Sequence, residues 1–222
     1  MGETITIKSG DGFEVSAYRA LPEGRPKGGI MVIQEIFGVN PHIREVADGY
    51  AAQGYAAIAP AIFDRAEPGV ELGYEDGDMQ RGVGLAFSGL EMPTTLADLS
   101  ATVSELSQYG KVGAVGYCFG GLLAFLSSAN VEGLACSVGY YGGGIAGQLE
   151  QKPKIPLMLH FGDQDAHIPL SDVDKIKAAN PGVPVHVYGA DHGFNCDHRA
   201  SYDAASASQA LERTLTFFAE HI

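Results

Sequence analysis

The sequence predicts an α/β fold: one doubly wound, mostly parallel sheet entered through an N-terminal antiparallel hairpin. Two observations predict it. Apolar runs of strand length recur along the 222 residues, and they are continuous rather than alternating, as strands buried on both faces require. Stretches with helical periodicity separate them, and strand–helix alternation closes into a parallel sheet flanked by helices. No linker, repeat or low-complexity tract divides the chain, so residues 1–222 read as a single domain.

The hairpin comes from residues 4–7 and 14–18, two alternating segments around Ser9-Gly10-Asp11-Gly12. Continuous apolar runs follow at 29–33, 56–59, 112–115, 135–138, 156–159 and 183–187. Helical stretches lie around 43–53, 94–109, 119–129 and 171–179. The Ala-rich segment 204–220 carries Leu211, Leu215 and Phe218 at helix spacing. Residues 68–84, rich in glycine and acidic side chains, are the least regular stretch. They read as a surface excursion with a short helix, where a lid is often built.

Hydrophobic content of 45% against 18% charged residues fits a globular core. A formal net charge of −13 excludes a nucleic-acid partner, because phosphates require a basic footprint. Three cysteines, Cys118, Cys136 and Cys196, are odd in number and show no CxxC spacing, which argues against a disulfide framework. No basic segment followed by a long apolar run opens the chain, and no run approaches the roughly 20 apolar residues of a membrane span. A reducing cytoplasm is therefore expected. So is a monomer or small homo-oligomer, with no membrane partner.

The chemistry concentrates in Gly116-Tyr117-Cys118-Phe119-Gly120-Gly121. A strand-like run precedes it and a buried helical run follows, the context of a nucleophile elbow with cysteine in place of serine. The helix N-terminus behind the sulfur favours a thiolate. A thiol nucleophile needs a base, and the base needs an orienting acid. Downstream, one strand ends in Gly162-Asp163-Gln164-Asp165 and another in Asp191-His192-Gly193-Phe194, so carboxylate and imidazole both fall at the carboxyl edge of the sheet. Nucleophile, acid, base is the chain order of an α/β-hydrolase. His192 is the base; Asp163 and Asp165 compete as orienter. His160 lies inside an apolar strand and reads as a hydrogen-bonded core residue, His167 lies off the His192 loop, and Asp191 reads as a loop cap or solvent-facing group. The oxyanion needs two fixed donors. The Phe119 N–H follows the nucleophile, and the Ile36 N–H comes from the loop after the third strand.

From end to end the chain resembles the dienelactone hydrolase family in its cysteine-nucleophile form. The matching pieces are Gln34-Glu35-Ile36-Phe37-Gly38-Val39-Asn40, Gly54-Tyr55-Ala56-Ala57, the segment 113–121, Gly139-Tyr140-Tyr141-Gly142, the 162–165 turn with Pro169, and His192-Gly193-Phe194. The resemblance implies an α/β-hydrolase fold, a Cys118–His192–Asp165 triad and no cofactor. It also implies that Glu35 partners the resting thiol and moves when an anionic substrate binds. For substrate contacts it implies Arg81, Phe37 and Tyr141. The family's second carboxylate-binding arginine falls four residues beyond the histidine, where this chain has Cys196; Arg199, three residues further on, is the candidate substitute, with a surface arginine as the alternative reading. Leu85 replaces a tyrosine seen near the first arginine.

The expected reaction is hydrolysis of an activated ester or enol-lactone through a thioester acyl-enzyme, with an anionic small molecule as substrate. Neutral carboxylic esters on the same triad are the alternative. A metal or redox sensor built on His192, Cys196 and His198 is the competing class, although spacings of three and one between those residues lack the paired pattern of zinc ligands. A non-catalytic binding domain is the third.

Overall fold

Residues 2–222 are described by the computed structural model. Eight strands form one sheet: β1 (Glu3–Lys8), β2 (Glu14–Ala20), β3 (Gly29–Ile33), β4 (Ala56–Pro60), β5 (Val112–Tyr117), β6 (Leu134–Tyr140), β7 (Leu157–Gly162) and β8 (Val185–Tyr188). Every residue of β3, β4, β5 and β7 is buried, as continuous apolar runs demand. The order is β1-β2-β4-β3-β5-β6-β7-β8. The N-terminal hairpin does not stand apart: β2 pairs antiparallel with both β1 and β4, and all other pairings are parallel.

Six α-helices connect and cover the strands: α1 (Pro41–Ala52), α2 (Asp76–Gly84), α3 (Met92–Leu106), α4 (Phe119–Asn130), α5 (Leu170–Ala179) and α6 (Ala204–His221). α3 and α4 share one face of the sheet. On the opposite face α1 meets α6, with Tyr50 edge-on to Phe218 at 5.9 Å. Apolar surface buried between layers is the main stabilising term. The irregular stretch does carry its short helix, α2, but the helical path continues as a π-type turn over Leu85–Gly89. A widened turn of that kind is not encoded in a 3.6-residue period.

Strand order decides where a site can form. From β3 the chain runs outward to β4 on one side, then returns to place β5 on the other. Ligand crevices open at the carboxyl ends of strands at such a reversal. The loop after β3 and the turn after β5 emerge there side by side, because Ile33 is in register with Gly116.

One buried ion pair ties the hairpin end of the sheet to α3. The Asp98 carboxylate, fully buried, accepts two 2.7 Å hydrogen bonds from Arg65, which also reaches Asp11 on the hairpin turn. Removing one partner strands a desolvated charge. Asp98→Ala is expected to cost about 3 kcal/mol, read as a lower denaturant midpoint with an unchanged slope.

Candidate active site

Cys118 follows β5 directly and precedes α4, with φ of 53° and ψ of −114°. That backbone conformation costs a non-glycine residue about 1–3 kcal/mol and persists only where its surroundings hold it. The surroundings are close. A Cβ on Gly116 would lie 1.9 Å from the Gly120 carbonyl oxygen, and one on Gly120 would lie 2.3 Å from that of Ile33. The Cys118 N–H donates to the Tyr140 carbonyl at the end of β6 (3.0 Å). Glycine at 116 and 120 thus lets α4 start against the ends of β3 and β5, which brings the Phe119 amide beside the 34–40 loop.

That loop is clamped in turn. Asn40 caps α1 by accepting from the Ile43 N–H (3.2 Å), while its own amide donates to the Leu72 carbonyl and the Tyr74 hydroxyl. The Leu72 N–H donates to the Phe37 carbonyl (2.8 Å). Gly82 of α2 packs so closely on Ile36 that a Cβ there would lie 2.2 Å from the Ile36 carbonyl oxygen. Phe119 is the first residue of α4, a position whose N–H has no acceptor within the helix.

The structure brings Cys118, His192 and Asp165 into one line. Cys118 Sγ lies 3.1 Å from His192 Nε2, and His192 Nδ1 lies 2.7 Å from Asp165 Oδ2. The other Asp165 oxygen accepts from the His167 and Ile168 N–H groups (2.8 and 3.1 Å). Both carboxylate oxygens are committed, so the imidazole is held in one orientation. Asp163, two residues earlier, is exposed. Burial opposes a charged His192, but hydrogen bonds and charge from Asp165 and Cys118 outweigh it and push the imidazole up to about 10.

The rival histidines are otherwise employed. His160 is buried between the Tyr188 hydroxyl (2.8 Å) and Thr214 (3.1 Å). His167 is exposed, its ring edge-on to His192 at 5.3 Å. Asp191 accepts from the His192 N–H (2.6 Å) and so caps that loop.

The surroundings of Glu35 differ from what the resemblance implies. The thiol's partner is His192, and neither oxygen of the fully buried Glu35 carboxylate has a hydrogen-bond partner. The nearest cation is Arg199, with Nη1 3.7 Å from Oε1. Its guanidinium lies 5.8 Å from the ring centroids of both Phe37 and Tyr74. Phe37 itself is buried against Tyr74 at 4.7 Å, a packing surface for Arg199 rather than an open wall. Arg81 is turned elsewhere: half-exposed on α2, it pairs with Glu67, the carboxylate within its reach. Tyr141 is buried with φ of 37°, a hydroxyl without a partner and its ring 5.2 Å from His192. Burial, joined by the nearby Glu35 carboxylate, raises its phenol well above the ordinary value.

His192, Cys196 and His198 do not converge on one point. Among the described residues, the groups close enough to share an ion are Glu35, His42 and Cys196, and His42, Asp197 and His198. Sequence reasoning missed His42 and Tyr74. The only signal for His42 was its place in the first turn of α1, seven residues after Glu35; Tyr74 lay in the irregular stretch, with none. Phe87, exposed on the π-type turn and edge-on to Phe119 at 5.4 Å, was missed as well.

Residues 15–222 match the dienelactone hydrolase family. A carboxymethylenebutenolidase of Pseudomonas putida is 37% identical over 98% of this chain and 96% of its own length. One from Pseudomonas sp. strain P51 is 34% identical over 96% and 93%. A Klebsiella pneumoniae crystal structure assigned to dienelactone hydrolase superposes with a TM-score of 0.87 at 29% identity, covering 99% of this chain and 98% of that one.

Proposed function

The chain belongs to the dienelactone hydrolase family, is a hydrolase of ester or lactone bonds, and we propose that it opens an activated enol-lactone or ester through Cys118 and a thioester acyl-enzyme. The observation that carries this reading is the line of contacts from Cys118 through His192 to Asp165 at a strained elbow. An imidazole able to take the thiol's proton, and itself oriented by a carboxylate, is what activates a sulfur nucleophile.

The steps follow from that arrangement. Sγ attacks the carbonyl carbon, and the carbonyl oxygen, now an anion, takes the N–H groups of Ile36 and Phe119. As the ring C–O bond breaks, His192 Nε2–H gives its proton to the departing oxygen, which in a lactone stays tethered to the acyl group. Water then loses a proton to His192 and attacks the thioester, and Sγ leaves as thiolate. Asp165 keeps Nδ1 protonated and the ring aligned throughout. An enol oxygen leaves more readily than an alkoxide, which suits a sulfur nucleophile that is itself a good leaving group.

For the substrate we read a small carboxylate-bearing lactone, held by Arg199. Its guanidinium is mostly buried, and the Glu35 carboxylate beside it stands at 3.7 Å rather than in a full hydrogen-bonded pair. An incoming carboxylate can complete that pairing with two parallel hydrogen bonds. The engagement of Arg81 with Glu67 reverses the order expected from the resemblance: Arg199 is the stronger candidate and Arg81 the weaker. The same engagement favours a second reading, a neutral ester that needs no arginine.

Hydrogen bonds to charged groups contribute about 1.5–3 kcal/mol, so losing one should lower kcat/KM roughly 10- to 150-fold. Arg199→Ala is expected to impose that loss on a dienelactone-type acid and to leave a p-nitrophenyl ester nearly unchanged, with Arg81→Ala showing a smaller effect of the same sign. An equal fall on both substrates would make Arg199 structural. Parent enzyme that turned over only the neutral ester would establish the second reading.

A further inference from the structure

We infer that Glu35, His42 and Cys196 form a binding site for a thiophilic divalent cation of the zinc class, beside the Cys118–His192 pair and distinct from it. Three segments far apart in sequence converge there: the loop after β3, the first turn of α1 and the turn following His192. All three side chains are buried, and their donor atoms lie within 4.8 Å of one another.

A separate observation points to a ligand. Both Glu35 oxygens and His42 Nε2 are buried without any hydrogen-bond partner. Each such orphan is costly to bury, and native folds rarely keep several together without something for them to bind. The Arg199 cation at 3.7 Å neutralises Glu35 only in part. On the outer side of His42, Asp197 Oδ1 stands 3.4 Å from Nδ1. A carboxylate behind an imidazole is the arrangement that fixes the ring nitrogen facing a metal.

The donor chemistry selects the ion. Sulfur, nitrogen and one carboxylate suit zinc or cobalt(II) and disfavour magnesium or calcium, which prefer all-oxygen shells. Bond lengths of about 2.3 Å to sulfur and about 2.0–2.2 Å to nitrogen and oxygen require the three donors to draw in by roughly an ångström. Cys196 Sγ now donates to the Tyr74 hydroxyl at 3.3 Å. On binding, its S–H bond breaks, a sulfur–metal bond forms and the proton leaves to solvent; no electrons are transferred. Thiolate, carboxylate and neutral imidazole then carry two negative charges, which a divalent cation cancels. Three protein ligands leave the fourth position of a tetrahedral ion to water.

Cobalt(II) titration of the Cys118→Ala protein tests the site without the catalytic thiol and without reference to hydrolysis. The expected result is one cobalt per chain, with a thiolate-to-cobalt charge-transfer band that zinc abolishes by displacement. Adding Cys196→Ser should remove the band. Asp197→Ala, a change at an exposed residue that leaves folding intact, should weaken binding about 10- to 100-fold. The inference is overturned if Cys118→Ala protein binds no cobalt, if the band appears only when Cys118 is present, or if it survives Cys196→Ser.

Discussion

Cys118→Ala should lower the rate of ester and lactone hydrolysis by about 10⁴-fold or more, the scale on which removing the nucleophile of a triad disables it. The fold should survive. The side chain is small and partly exposed, and alanine meets the same backbone strain at φ of 53° that cysteine does. Circular dichroism and a denaturant midpoint close to the parent's would establish that. Cys118→Ser keeps the geometry but replaces the thiol with a far less acidic and less nucleophilic hydroxyl, so it too should be slow. Trapping parent enzyme with an activated lactone at low pH should add the acyl mass to the peptide containing Cys118. Near-parent turnover by the alanine variant would place the nucleophile elsewhere.

The second large effect is expected at Asp165. Its Oδ2 holds His192 Nδ1 at 2.7 Å, and Oδ1 is anchored by two backbone amides. Asparagine keeps the shape but offers an N–H where an acceptor is needed, which favours the wrong imidazole tautomer. A loss of about 10⁴-fold in kcat is the scale for that change in a triad. Asp163→Asn, at an exposed residue, should do little.

A pH readout separates this role from a structural one. Burial disfavours the imidazolium, and Asp165 is one of the two partners that hold it up to about 10. Removing that carboxylate leaves burial less opposed, so His192 loses its proton at lower pH. The imidazolium that supports the thiolate then disappears earlier as pH rises, and alkylation of Cys118 should follow a visibly shifted pH curve. Identical curves for Asp165→Asn and parent would mean that Asp165 does not set the charge of His192.

Much of this molecule is written locally. Continuous apolar runs specified β3, β4, β5 and β7 because a strand buried on both faces needs no polar residue to alternate with; the run at 183–187, expected to be buried likewise, became β8, which lies at the sheet edge and is only partly buried. The Gly116–Gly121 segment announced a sharp strand-to-helix turn, since only glycine tolerates the close backbone approach found at 116 and 120. Positions just after strand ends marked Cys118, His192 and the Asp163/Asp165 pair as candidates. Such signals lie within about ten residues of chain, where backbone sterics and periodicity act.

Tertiary structure decided what depends on which loops meet. Resemblance preferred Asp165 over Asp163, but the physical distinction is that one carboxylate is buried with every oxygen satisfied and the other faces water. Glu35 keeps company with Arg199, His42 and Cys196 only because the ends of β3, α1 and the His192 loop converge. Arg81 was diverted by Glu67, fourteen residues away along the chain. Backbone form is set by short-range sterics and apolar pattern, and so can be read from the sequence. Charge pairing is set by desolvation and distance between side chains remote in sequence, and so appears only once the chain has folded.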